Sequence, residues 1–204
     1  MRDVENIKAL AELKPDFMGF IFYDKSPRFV GNSEQLDVEL MNAMPREVRK
    51  VGVFVNATVD TILQNVRKYS LNYVQLHGNE TPDFCKNLRL KGVNVIKAFR
   101  LDADFVFSQL HNYKPHVDFF LFDAKGDGYG GNGVAFDWRI LKKYDNEKPY
   151  FLAGGVGLEN IDELENITPQ PYALDINSKF EISPAVKDID MIEMLLDKIR
   201  PVEV

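Results

Sequence analysis

The sequence predicts an α/β fold, a (β/α)8 barrel that lacks its first strand, so that seven strands alternate with eight helices. Three observations carry this. Short apolar runs rich in Val, Phe, Ile and Tyr recur at 17–22, 51–55, 73–77, 93–98, 117–122, 149–153 and 171–176, only weakly alternating, as in strands buried on both faces. Their starts lie 20 to 34 residues apart with amphipathic stretches between them, the rhythm of βα units with right-handed crossovers. Loops of the anion-holding type come late, AGGVG after the run at 149–153 and NSK after the run at 171–176, where barrels place them. A doubly wound sheet would carry such a turn after its first strand, and here FMGFIF leads into YDKSPRFVG.

The elements follow in order. The chain opens on a helix, Asp3 to about Lys14, with no strand ahead of it. Further helices are predicted at 33–43, 58–70, 81–91, 102–112, 137–143, 157–167 and 188–199. In 58–70, Val59, Ile62, Leu63 and Val66 fall at helical spacing and Thr58 is placed to cap the first turn. Nothing reads as a linker, a low-complexity segment or a second domain, so residues 1–204 are expected to form one TIM-barrel domain.

Composition narrows the function. Of 204 residues, 45% are hydrophobic and 27% charged, the balance of a globular chain. A net charge of -6 argues against a nucleic-acid partner, though a few arginines and helix N-termini can still hold an anionic small molecule. The longest apolar runs fall far short of the ~20 residues that span a bilayer, so no membrane partner is expected. One cysteine forbids an internal disulfide and suits a reducing cytoplasm.

In a barrel of this kind the chemistry sits where strands run out into loops. Those positions hold Tyr23, Lys25 and Arg28, then Asn56, Gln75 with His77, Arg100, Asp123, Gly154 with Gly155, and Asp175 through Lys179. Asp123 ends the run VDFFLFD and precedes five glycines within 126–133, so it is either a turn residue or an acid beside a lid. Gly154 and Gly155 offer bare backbone N–H groups to an anion, with Ser178 and Lys179 next door, or they are only tight turns. Arg28 is either a solvent-facing arginine or a bidentate carboxylate anchor. Gln75 and His77, two apart, share a strand face and are either site residues or structural ones. No His and carboxylate set has metal-ligand spacing, so no metal is expected. Cys85, beside Phe84 and Leu88 in a helix, reads as a packing residue.

Taken in order, GFIFYDKSPRFV, VGVFVN, VQLHGNE, IKAF, LFDAKGDGYGGNGVAFDW, LAGGVGLENI and ALDINSKFE resemble the phosphoribosylanthranilate isomerase family along essentially the whole chain. The resemblance implies a cofactor-free Amadori rearrangement of N-(5-phosphoribosyl)anthranilate in tryptophan biosynthesis. An acid protonates the ribose ring oxygen, the ring opens to a Schiff base, and a base removes the C2′ proton. It implies Asp123 as general acid, Arg28 as anthranilate-carboxylate anchor, and Gln75, His77, Gly131 and Asp175 as substrate contacts. Gly154, Gly155, Ser178 and Lys179 fall in its phosphate loops, and 126–133 becomes a lid. The implied partner is a small phosphorylated substrate, with the chain a monomer or homodimer.

Two departures stand out. Where the family more often has Ser-Ser-Gly, this chain has Asn177, Ser178 and Lys179. The family's first strand ends in Lys-x-Cys-Gly, whose cysteine is the general base, whereas Met1-Arg2-Asp3 resembles the residues just after that motif. Strand one and the base are therefore expected to be absent, through a start assigned to an internal methionine, and Cys85 lies on the wrong element to replace it. Turnover should then be impaired. The alternatives are a base-deficient ligand-binding barrel, or a sugar-phosphate isomerase of the histidine-pathway type, which would need two opposed carboxylates.

Overall fold

The computed structural model describes residues 1–32, 36, 38–124 and 137–200; Gly131 and the glycine-rich loop 126–133 lie outside them. The chain enters on α1 (Val4–Glu12), where the Asp3 carboxylate accepts the Asn6 N–H at 2.8 Å and satisfies one of the open donors of the first turn. There follow β1 (Phe17–Ile21), α2 (Val38–Ala43), β2 (Arg49–Phe54), α3 (Val59–Tyr69), β3 (Tyr73–Leu76), α4 (Pro82–Leu90), β4 (Val95–Leu101), β5 (Phe119–Ala124), β6 (Tyr150–Leu152) and β7 (Ala173–Leu174). A short antiparallel hairpin, β8 (Glu181–Ser183) and β9 (Val186–Lys187), precedes α5 (Ile189–Ile199). Thr58 caps α3 as the sequence predicts, its hydroxyl accepting the Thr61 N–H at 3.2 Å.

All eight predicted helical positions are helical, but three are 3-10 turns and shorter than expected: Phe107–Asn112, Trp138–Lys143 and Ile161–Asn166. The cause is local. Asp102 takes the Asp104 N–H, Asp137 takes the Arg139 N–H, and Asn160 takes the Gly157 N–H. Side-chain acceptors so close to their own backbone compete with the α-helical pattern at its first turn.

The seven strands pair in parallel in chain order, β1 to β7, as a curled half-barrel. Among the described residues no strand joins β7 to β1. Met1 is buried beside that gap, its amine 3.3 Å from the Gly19 carbonyl. Alternation along each strand sorts the side chains. Val51, Ile96, Ala98, Leu121, Phe151 and Ala153 meet on the concave face, while a larger cluster that includes Phe20, Phe54, Phe120 and Phe122 packs between sheet and helices. Two residues beyond Leu121 on the concave face is Asp123. Two and four beyond Tyr73, which packs on that concave cluster, are Gln75 and His77, and two beyond Ala173 is Asp175. The period of two thus delivers each polar side chain to the mouth of the interior. No helix among the described residues is long and apolar enough to cross a membrane.

Candidate active site

Asp123 is buried at the exit of β5, and the Ala124 N–H donates to its Oδ1 at 2.8 Å. Its Oδ2 lies 3.3 Å from His77 Nε2, which is buried and makes no aligned hydrogen bond. On the ring's other side the Gln75 amide nitrogen stands 2.9 Å from Nδ1. An amide nitrogen only donates, so Nδ1 accepts, and the neutral ring carries its proton on Nε2, towards Asp123. The acid, the imidazole and the amide form one line across the mouth.

Asp175 follows β7, its N–H donating to the Leu152 carbonyl at 2.8 Å. Burial, and then the charge of Asp123, push its carboxyl up to about 6, against the opposing pull of His77 and Lys187. Between the two carboxylates runs the turn after β6. Gly154 and Gly155 adopt φ of 79° and 77°, the left-handed region that favours glycine. A Cβ on Gly154 would stand 2.4 Å from the Ala124 nitrogen and 2.9 Å from Asp123 Oδ1. The absence of a side chain is what lets this turn reach the acid.

Lys179 donates to the Gly155 carbonyl at 2.8 Å and pairs with Glu159. It therefore ties the two glycine and serine loops together at the position where the family pattern has glycine. Arg28 reaches the site, but its fork is engaged: Nε meets both Glu181 oxygens at 3.0 and 2.9 Å, and Nη2 meets Oε2 at 2.6 Å. Sequence reasoning missed Glu181 and Lys187, which the β8–β9 hairpin delivers. The buried Lys187 ammonium donates to Asn177 Oδ1 at 2.7 Å and lies 3.4 Å from Glu181. A lysine in a two-residue strand carries no sequence signal that marks it as buried.

One cavity of about 810 Å3 brings together Arg28, Gln75, His77, Asp123, Gly154, Gly155, Asp175, Ser178 and Lys179, with Lys187 on the same wall. Tyr23 also lines it; Lys25, Asn56 and Arg100 do not. Cys85 is away from it, fully buried in α4, with its thiol pushed up to about 12 by burial. Among the described residues no group of three His, Cys, Asp or Glu could hold a metal ion.

A parallel βα half-barrel with a carboxylate, an imidazole and a left-handed glycine turn gathered at its strand exits is a barrel of the TIM class with its candidate site at the usual end. Comparison with known proteins makes it particular. Residues 1–198 match the model of the N-(5′-phosphoribosyl)anthranilate (PRA) isomerase family. A relative of that name from Parabacteroides distasonis is 42% identical over 98% of this chain and 90% of its own. One from Caldanaerobacter subterraneus is 37% identical over 99% and 96%. The crystal structure of phosphoribosyl anthranilate isomerase from Thermotoga maritima superposes with a TM-score of 0.84 at 31% identity, covering 97% of this chain and 94% of that one. A further structure holds reduced 1-(o-carboxyphenylamino)-1-deoxyribulose 5-phosphate and superposes at 0.81 with 29% identity, covering 97% and 93%. The chain belongs to the N-(5′-phosphoribosyl)anthranilate isomerase family.

Proposed function

We propose that this chain acts in tryptophan biosynthesis on N-(5-phosphoribosyl)anthranilate, rearranging it to 1-(2-carboxyphenylamino)-1-deoxyribulose 5-phosphate, with Asp123 as general acid. The observation that carries the reading is the placement of Asp123: buried at a strand exit, faced by His77 and touched by the side-chain-free Gly154. From there it can protonate the ribose ring oxygen as the C1′–O bond opens, leaving a Schiff base to the anthranilate nitrogen. The turns holding Gly154, Gly155 and Ser178 receive the phosphate, Lys179 keeps those turns together, and Asp175 faces the sugar. Arg28 offers the anthranilate carboxylate the donors that Glu181 leaves over. The lid role of 126–133, with Gly131, rests on the family pattern alone.

The next step removes the C2′ proton, and the family's cysteine base has no counterpart in the cavity, since Cys85 is buried in α4. We therefore propose that the chain keeps the binding site and that turnover relies on a base other than Cys85. That observation also favours the second reading, a barrel that binds the phosphorylated aromatic amine without rearranging it. A cytoplasmic monomer or homodimer fits both readings. A Thermotoga maritima relative is described as dimeric.

Two measurements test this. Loss of phosphoribosylanthranilate fluorescence reports turnover, and Asp123→Asn should lower any rate by roughly 10²–10⁴-fold. Titration calorimetry with the reduced product analogue reports the site. Binding with little turnover supports the base-deficient reading, rapid turnover shows that another residue serves as base, and no binding in a folded chain overturns the proposal.

A further inference from the structure

Behind the site, on the other face of the sheet, lies a charged pair that neither lines the cavity nor touches its ligand space. Lys97 and Glu80 are 2% and 5% exposed, with Nζ 3.1 Å from Oε2. Lys97 alternates with Ile96 and Ala98, so it points away from the barrel interior, towards the helix layer. Burying two charges is expensive, and such a pair often stabilises a fold less than two apolar residues would. Its geometry supplies another reason for it.

Most partners of this pair lie in or beside one turn, residues 76–80. Lys97 Nζ donates to the carbonyls of Leu76 at 3.1 Å and Gly78 at 2.8 Å, which flank His77, and to Ala98 at 3.0 Å. Glu80 accepts the Gly78 N–H at 3.0 Å and the Asn56 N–H at 2.8 Å. Asn56 in turn accepts the Asn79 N–H at 2.7 Å. The packing is so close that a Cβ on Gly78 would stand 2.4 Å from Asn56 Oδ1 and 2.7 Å from Glu80 Oε1. Both peptide groups beside His77 are therefore held from behind, while its own N–H donates to the Phe54 carbonyl at 2.8 Å.

We propose that Lys97 and Glu80 are positioning residues for His77: their buried pair clamps the 76–80 turn so that the imidazole, with Nδ1 on Gln75, presents Nε2–H to Asp123. The inference rests on the proposed function only for what that alignment achieves, which is a fixed donor beside the acid when ligand is bound. A pair serving stability alone would lower the melting temperature when broken and leave the ring where it is.

The test reads the ring itself. The chain has three histidines, so the His77 ring nitrogens can be assigned in 15N spectra by their loss in His77→Asn. At mildly alkaline pH the parent chain should show the proton on Nε2. Two variants probe the clamp, Lys97→Met and the milder Glu80→Gln, which leaves Lys97 its three carbonyls and so retains the fold. In Glu80→Gln the ring should become a mixture of tautomers, and affinity for the reduced product analogue should fall roughly tenfold, the scale of losing an outer hydrogen-bond partner. A folded Glu80→Gln with the parent tautomer and affinity overturns the proposal, whatever Lys97→Met does to stability. If the parent chain shows the Nε2 tautomer but binds no analogue, the assignment of function fails, and the clamp is judged on the tautomer alone.

Discussion

Gly154 is the position where one added carbon should do most damage, and the structure supplies its own control. Gly154 and Gly92 share a left-handed backbone, each with φ of 79°. An alanine at Gly92 would meet nothing within 4 Å, so it bears only the conformational strain, about 1–2 kcal/mol. An alanine at Gly154 bears the same strain and also lands 2.4 Å from the Ala124 backbone nitrogen, 2.8 Å from the Ala124 Cβ and 2.9 Å from Asp123 Oδ1. Two of those three neighbours are fixed by β5 and cannot swing away. Overpacking of this kind costs about 1–3 kcal/mol, so Gly154→Ala should lose about 2–5 kcal/mol in all. Urea unfolding measures both variants, with equal slopes marking a change of stability alone. Calorimetry with the reduced product analogue supplies the second reading, since the only escape for the new methyl is to displace Asp123 and the turn beside it. Gly154→Ala should weaken binding and Gly92→Ala should not. Equal destabilisation by the two variants, or unchanged affinity in Gly154→Ala, would refute the claim that this glycine exists to approach the acid.

Three further outcomes follow from the charges. Asp175 has a carboxyl raised from 3.8 to about 6, so the folded state holds its proton where the unfolded chain has released it. Its contribution is present below pH 3.8 and is lost as pH rises through about 6; Asp175→Asn should flatten that decline and melt higher than the parent at neutral pH, which scans across this window would check. Glu181→Ala removes the shared partner of Arg28 and Lys187 and should cost about 3 kcal/mol in urea unfolding, with a loss below about 1 kcal/mol showing the pair to be incidental. Cys85, with its thiol pushed up to about 12, should resist iodoacetamide in the folded chain and react on unfolding, and fast labelling of native protein would contradict its burial.

The parts of this fold that follow a period are legible in the sequence. Seven apolar runs became seven parallel strands, and reading the residues just past each run gathered Gln75, His77, Asp123, Gly154, Gly155 and Asp175 into one cavity. That succeeded because alternation along a strand is rigid: once Leu121 faces inward, so does Asp123. Asx side chains misled the helix reading, because Asp102, Asp137 and Asn160 look like ordinary caps and instead hold their segments in 3-10 turns. Partners distant in sequence were not legible. Nothing in KSPRF announces that Arg28 is forked on a glutamate 153 residues away, and nothing in IKAF says that its lysine reaches back to the turn carrying His77.

The hairpin at 181–187 shows why the departure from the family pattern in the last loop is tolerable. Residues 177–179 replace a glycine-containing turn with Asn, Ser and Lys, which on sequence alone looks like a loss of backbone freedom. The side chains added there all find partners. Lys187 holds the Asn177 side chain and carbonyl, Lys179 reaches across to the Gly155 carbonyl and Glu159, and Asn6 pairs with the Lys187 backbone through both its amide atoms at 2.7 and 2.8 Å. Asn6 thus does for β9 what a neighbouring strand would do, tying the hairpin to α1. Glu181 then closes the network by accepting from Arg28 on one side and the Ala185 N–H on the other. The loop is held by these side chains, on a scaffold beneath it that is charged, buried and engaged in hydrogen bonds.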